Sequence, residues 1–298
     1  MTVMTNRRTL LGVAGCALLM AACSGSSTSA SAPPLRFTAI PDADATELEA
    51  KFAPLAAHLS RELGVPVEYL PSDDYTASVE MFKNGDIQLA WFGGLTGVQA
   101  RQAVDGSQAI AQGRTDELFK SYFIANASTG LERSDDFPTE LAEFTFLFGS
   151  PSSTSGRLMP EYFILEATGK SAEKFFGTLP TFSGDHKQTA LMVARGEADA
   201  GALNYVVYDD LVASGEIDPE VCRVIWETPA YVDYNWTVRP EVDTDWPGVS
   251  SAKLREVLLA IDDPELLAAL RRPEGLIAAE NSDYSSIEAT AKALGLIR

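Results

Sequence analysis

Cysteine is scarce in this chain. Only Cys16, Cys23 and Cys222 occur in 298 residues, and no two stand at the short spacing of a metal or redox motif. Histidine is scarcer still: His58 and His186 are the only two. A His-Glu-x-x-His metal site is therefore excluded, and no Gly-x-Ser-x-Gly nucleophile elbow is present. Positive charge is also short. Lysine and arginine number 23 against 42 acidic residues, for a formal net charge of −19. That balance argues against nucleic acid or an anionic membrane surface as partner. It also means that an anionic ligand gains nothing from long-range steering and must be held by local dipoles and hydrogen bonds. Long hydrophobic runs are missing as well. The longest, Leu10 to Ala22, is too short for a membrane span. With 46% apolar residues, the chain is nonetheless able to bury a sizeable core in one large or two medium domains.

The N-terminus reads as a processing segment. Arg7-Arg8 precedes the apolar run, which ends Leu19-Met20-Ala21-Ala22-Cys23. Small residues before a cysteine resemble the bacterial lipobox. That resemblance implies that residues 1–22 are removed and that Cys23 is lipidated; a generic signal peptide with a chance cysteine is the alternative. Arg7-Arg8-Thr9-Leu10-Leu11 resembles a twin-arginine signal more weakly. Losing residues 1–22 removes two arginines and no acid, taking the charge to −21. Ser24 to Pro34, rich in Ser, Ala and Pro, reads as a flexible tether. Cys222 alone then remains, so no intrachain disulfide is possible.

The chain centres on the stretch from Phe144 to Gly169. Thr145 to Phe148 reads as a buried strand, broken at Gly149 and Pro151. Leu158, Tyr162 and Leu165 recur at helical spacing, with Pro160 near the first turn and Gly169 at the expected stop. Between them lie Ser150, Ser152, Ser153, Thr154, Ser155 and Gly156. A first helical turn has unpaired N–H groups and a positive dipole end, and hydroxyls placed there suit a small oxyanion. Ordinary capping and turn formation is the competing reading. The spacing does not fit a P-loop.

A strand is expected at Leu35 to Ile40. An amphipathic helix comes next, carried by Leu48, Phe52, Leu55, Leu59 and Leu63 and stopped at Gly64. A second strand spans Val65 to Leu70. Asp74 to Gly94 then reads helix, Gly stop, short strand, Gly-rich turn. A second copy begins at Asp185. Asp74, Met81, Gly85 and Asp86 match Asp185, Met192, Gly196 and Glu197 without a gap. Four matches in register suggest two lobes built alike. Tyr75 and His186 fall at equivalent helix starts, and Gly93 and Asn204 at equivalent strand ends, the ends that line ligand crevices in open α/β sheets. Ser121 to Ala125 and Val224 to Trp226 read as strands, Glu132 to Leu141 as an acidic loop or short helix, and the C-terminal remainder as helical. Crossings near Tyr122 and Tyr234 imply a hinge.

Ser152-Ser153-Thr154-Ser155-Gly156 with Pro160 resembles the binding loop of bacterial ABC-transporter substrate-binding lipoproteins for phosphate, phosphite or phosphonate. Asp74-Tyr75, Asn84-Gly85-Asp86-Ile87, Trp91-Phe92-Gly93 and Asp233 support the resemblance, which spans nearly all of residues 23–298. Trp91 to Gly97 and Asp233 to Thr237 are similar to a branch labelled selenate-binding. The resemblance implies an α/β, two-lobed periplasmic-binding-protein-like fold of type II, with a two-crossing hinge and a cleft between lobes. The expected divisions are a signal peptide at 1–22, a lipidated tether at 23–34 and lobe 1 at 35–125. Lobe 2 occupies 126–227, and a hinge return with the lobe 1 C-terminal helices 228–298.

The implied pocket takes an oxyanion on Ser153, Thr154 and Ser155. Tyr75 and Tyr122 close from the first lobe and His186 from the second. Asn204 stands where binders of aminoalkyl-phosphonates carry a carboxylate, which argues against an amine-bearing ligand. Asp233 matches a pocket aspartate, with Val232 and Asn235 replacing flanking prolines. The implied role is capture and delivery to a permease and its ATPase subunit. The protein would be a monomer on the outer face of the cytoplasmic membrane, held by lipid alone and without cofactor, metal or catalysis. A sensory subunit for a membrane receptor, or an enzyme using His186 with Asp233, are the alternatives.

Overall fold

The computed structural model describes residues 33–42 and 45–298. The expected signal segment, Cys23 and most of the expected tether lie outside them. Strand β1 (Leu35–Ala39) is buried at Leu35 and Phe37. Helix α1 (Ala45–Leu63) buries Leu48, Phe52, Leu55 and Leu59 on one face and stops at Gly64, whose φ of 70° suits glycine. Next come β2 (Val67–Tyr69), α2 (Tyr75–Asn84) and β3 (Leu89–Phe92), a strand buried throughout. The Gly-rich turn expected after β3 is instead the start of helix α3 (Gly94–Ala103). Close packing explains the glycines there: a Cβ on Gly97 would lie 2.7 Å from the Asn235 amide. Strand β4 (Gln108–Gly113) ends this part.

The middle of the chain gives β5 (Ser121–Asn126), β6 (Phe146–Phe148), α4 (Met159–Thr168), α5 (Ala172–Phe176), β7 (Thr181–Phe182), α6 (His186–Ala194), β8 (Ala200–Asn204), α7 (Tyr205–Ala213) and β9 (Cys222–Glu227). The last part gives β10 (Asn235–Val238), α8 (Val242–Asp245), α9 (Ser251–Leu259), α10 (Pro264–Ala269), β11 (Leu276–Ala278) and α11 (Ser285–Ala293).

Two sheets result. The first has the order β11-β4-β10-β3-β1-β2 and the second β7-β6-β8-β5-β9. In each, a parallel trio covered by helices is extended by antiparallel strands. Phe37, Phe52, Tyr69 and Trp236 pack ring to ring in the first core, and Phe123, Phe146, Phe137 and Trp226 in the second. Each such ring contributes about 1.5–3 kcal/mol by leaving water. Buried side chains of α9, α10 and α11 join the first core. The fold is the mixed α/β, two-lobed arrangement expected.

The chain passes between the sheets at Arg114–Lys120 and again at Thr228–Tyr234. These segments pair with each other. Phe119 N–H donates to Tyr231 O at 2.8 Å, and Tyr231 N–H donates back at 2.9 Å. Beneath them, Arg272 makes a two-pronged ion pair with Asp116 (2.6 and 2.7 Å) and lies over the rings of Trp91, Phe119 and Tyr234. Among the described residues, no helix is long and apolar enough to cross a membrane.

Candidate functional site

Asp74 and Asp185 do the same local work. Each has extended backbone and caps its helix, accepting the N–H of Ala77 or Gln188 at 2.7 Å. The next residue, Tyr75 or His186, is thereby fixed at the first helical position, and both are buried. The two rings meet edge to face, 6.3 Å apart and inclined at 81°. The duplicated motif seen in the sequence thus brings its two copies together.

His186 Nδ1 accepts the backbone N–H of Asn204 at 3.2 Å. An accepting Nδ1 in a neutral ring leaves the proton on Nε2. Burial keeps the ring neutral, lowering its pKa to about 4 despite the attraction of Asp42. Nε2 is buried and without a protein partner, as is the Tyr75 hydroxyl.

The loop after β6 supplies the third wall. Ser153 caps the next turn, its Oγ accepting Gly156 N–H at 2.9 Å. The turn is wide, with Leu158 N–H reaching back to Ser153 O at 3.0 Å before α4 begins, and Pro160 falls in that helix's first turn. Thr154 Oγ1 accepts Leu95 N–H at 2.9 Å and also bonds Asp233. The Ser155 hydroxyl bonds Tyr231, and its carbonyl accepts from Ser121 Oγ at 2.7 Å.

Asp233, on the second crossing, is 1% exposed. Its Oδ1 accepts Gly94 N–H at 2.8 Å, while Oδ2 has no protein partner. Burial raises its pKa to about 7, with the Gly94 and Thr154 hydrogen bonds opposing the shift. Gly93 has no room for a side chain here: a Cβ would stand 3.2 Å from Thr154 Oγ1 and 3.3 Å from Asp233 Oδ1.

The remaining two candidates fare differently. Both side-chain polar atoms of Asn204 have protein partners. Oδ1 caps α7 and Nδ2 donates to Tyr234 OH at 3.1 Å, so Asn204 positions His186 rather than offering free groups. Tyr122 is a correction. Successive strand residues face opposite ways, and on β5 it is Ser121 that turns to the Ser153–Gly156 loop. Tyr122 packs instead on Tyr205 and Tyr208, 5.9 and 5.6 Å away, beside an open surface pocket with Glu132 and Arg133. The hydroxyl that meets the loop is that of Tyr231, 2.6 Å from Ser121 Oγ. The alternation beginning at Ser121 was the available sign; nothing local marked Tyr231.

The site therefore offers two uncharged donors, a first helical turn and one buried carboxyl. That set suits a small oxyanion sharing a proton with the carboxyl. Among the described residues, no cluster of His, Cys, Asp and Glu fit for a metal ion is present.

The family described as "ABC transporter, phosphonate, periplasmic substrate-binding protein" matches residues 37–284. A probable ABC transporter phosphite binding protein, PhnD1, of Prochlorococcus marinus (strain MIT 9301) is 36% identical over 270 residues, 89% of this chain and 91% of that one. The phosphate-import protein PhnD of Mycolicibacterium smegmatis is 31% identical over 245 residues, 76% and 75% of the two chains. The structure of P. marinus PhnD1 in complex with methylphosphonate superposes with a TM-score of 0.82 at 35% identity, covering 88% of this chain and 98% of that one.

Proposed function

Because this chain belongs to the phosphonate-binding family of periplasmic ABC-transporter substrate-binding proteins, we propose that it captures a small phosphorus oxyanion that keeps one proton. Methylphosphonate, phosphite and hydrogen phosphate are of that class. The observation that carries the reading is the trio of buried, unpartnered atoms, Tyr75 OH, His186 Nε2 and Asp233 Oδ2, around the Ser153–Gly156 turn. His186 Nε2–H and Tyr75 OH donate to ligand oxygens. So do the N–H groups of Thr154 and Ser155, which a first helical turn leaves without intrahelical acceptors, and the Ser153 hydroxyl. Asp233 Oδ2 takes the P–OH.

The shared proton separates ligands. An ionised, buried carboxylate facing a fully deprotonated dianion is repelled. A phosphonate brings its own proton, whereas selenate must draw one from solution onto Asp233. That favours phosphorus oxyanions over selenate. The captured ligand is handed to a permease and its ATPase, and Cys23 tethers the protein to the outer face of the membrane. The relatives that this chain resembles are named as binding proteins, and the role proposed here is capture without turnover.

The test is thermal unfolding of the purified protein against phosphate, phosphite, methylphosphonate, sulfate and selenate. A ligand at a hundredfold over its Kd adds about 2.7 kcal/mol, a few degrees for a protein of this size. Shifts with phosphite or methylphosphonate support the reading; no shift with any of these anions overturns it.

A further inference from the structure

Asp42 sits deep beside the site, 7% exposed. Its Oδ2 is 3.4 Å from Tyr234 OH, which accepts from Asn204, the residue that holds His186. Its charge acts on both His186 and Tyr75. A free carboxylate here would attract a cationic substituent on the ligand. It is not free: Arg271 Nη1 lies 3.0 and 2.9 Å from its two oxygens.

Arg271 is held there at a cost. It follows α10 in a Schellman-type stop, with Arg272 N–H bonded to Leu267 O at 2.9 Å. That position ordinarily takes glycine. Arg271 has φ of 53°, and it is the only non-glycine residue with positive φ among the described residues. Its Nε reaches over to Asp210 of α7, in the other lobe, at 2.9 Å. On its outer side it lines a cavity of 150 Å³ with Glu47, Lys187 and Asp210. Arg271 thus stands between Asp42 and that outer cavity.

We propose that the Asp42–Arg271 pair is the substituent filter of the site. It neutralises the second acid beside the site, behind Tyr234, and blocks the way outward, so compact oxyanions enter and those bearing an ammonium group do not. Such a filter presupposes that the site takes a phosphorus oxyanion. It makes opposite demands on its two members. Removing the guanidinium exposes an acid that welcomes a cation; removing the acid exposes a guanidinium that welcomes a second anion.

Titration calorimetry with methylphosphonate, 2-aminoethylphosphonate and phosphonoacetate tests it on the wild type, Arg271→Met and Asp42→Asn. The wild type should prefer methylphosphonate to both others by about a hundredfold. Arg271→Met should improve 2-aminoethylphosphonate relative to methylphosphonate at least tenfold, and Asp42→Asn should do the same for phosphonoacetate. Should one variant fail to fold, the other still decides. Unchanged ratios in a folded variant overturn the filter. A wild type that binds none of the three overturns the underlying reading instead.

Discussion

Leu95 donates its backbone N–H to Thr154 Oγ1 at 2.9 Å, and the two residues belong to different lobes. Leu95 lies in the first turn of α3, after β3 of the first sheet; Thr154 lies after β6 of the second. Thr154 also bonds Asp233 on the crossing between them. One hydroxyl therefore ties both lobes to the buried carboxyl of Asp233. Replacing Thr154 by Val strands a buried N–H, which costs about 1–3 kcal/mol. Methylphosphonate affinity should fall roughly 10–100-fold by calorimetry, and Thr154→Ser should restore most of it. Full affinity in Thr154→Val would show that the tie is unimportant.

Asp233 destabilises the free protein as pH rises. Its carboxyl titrates near 7 when folded against an ordinary 3.8. Between those values the folded chain holds a proton the unfolded chain lacks, and stability is lost through that window. His186 acts oppositely, titrating near 4 against 6.5, so its contribution is lost as pH falls from 6.5 to 4. The two oppose each other over that lower range, and Asp233 acts alone above it. Asp233→Asn should therefore raise the melting temperature of the ligand-free protein by a margin that grows from pH 4 to 7 and then levels. A lower melting temperature at pH 8 would contradict the assigned burial cost.

The proposed shared proton also predicts how selectivity changes with pH. A selenate complex needs Asp233 protonated, so selenate affinity should fall about tenfold per pH unit above pH 7. Calorimetry at pH 8 in buffers of different ionisation enthalpy should show uptake of nearly one proton with selenate and less with methylphosphonate. Equal uptake would remove the shared proton from the account.

Gly156 is packed tightly between the Ser153 turn, Gly149 and His186. A Cβ there would lie 2.9 Å from Ser153 Oγ, 3.0 Å from His186 Cε1 and 3.1 Å from the Gly149 backbone. The last of these cannot swing away. Gly156→Ala should weaken methylphosphonate binding at least tenfold while the protein still unfolds cooperatively. Wild-type affinity would mean that the loop does not hold the anion.

Removing a partner of the buried Arg272–Asp116 pair should damage the crossings themselves. Asp116→Ala leaves an uncompensated guanidinium among three aromatic rings and should cost about 3–5 kcal/mol in denaturant unfolding. A loss under 1 kcal/mol would show that solvent reaches Arg272.

What could be read from the sequence was local. Asp74 and Asp185 were legible because a cap is a matter of a few neighbouring residues, and Gly169 because a helix stop at φ 68° needs glycine. The Ser153–Gly156 loop was legible as composition. Tyr122 was not, since facing depends on register and a one-residue step reverses it. Asp42 and Arg271 are 229 residues apart, and only the fold brings them together. Tyr231 likewise owes its place to the pairing of the two crossings.

The central claim is that three unpartnered atoms receive one phosphorus oxyanion. A crystal structure of the protein grown with methylphosphonate tests it directly. The account predicts phosphonate oxygens about 2.6–3.0 Å from Tyr75 OH, His186 Nε2 and Asp233 Oδ2, with Ser153 to Ser155 around the same group. Methylphosphonate bound elsewhere, with those three atoms still lacking partners, would contradict it.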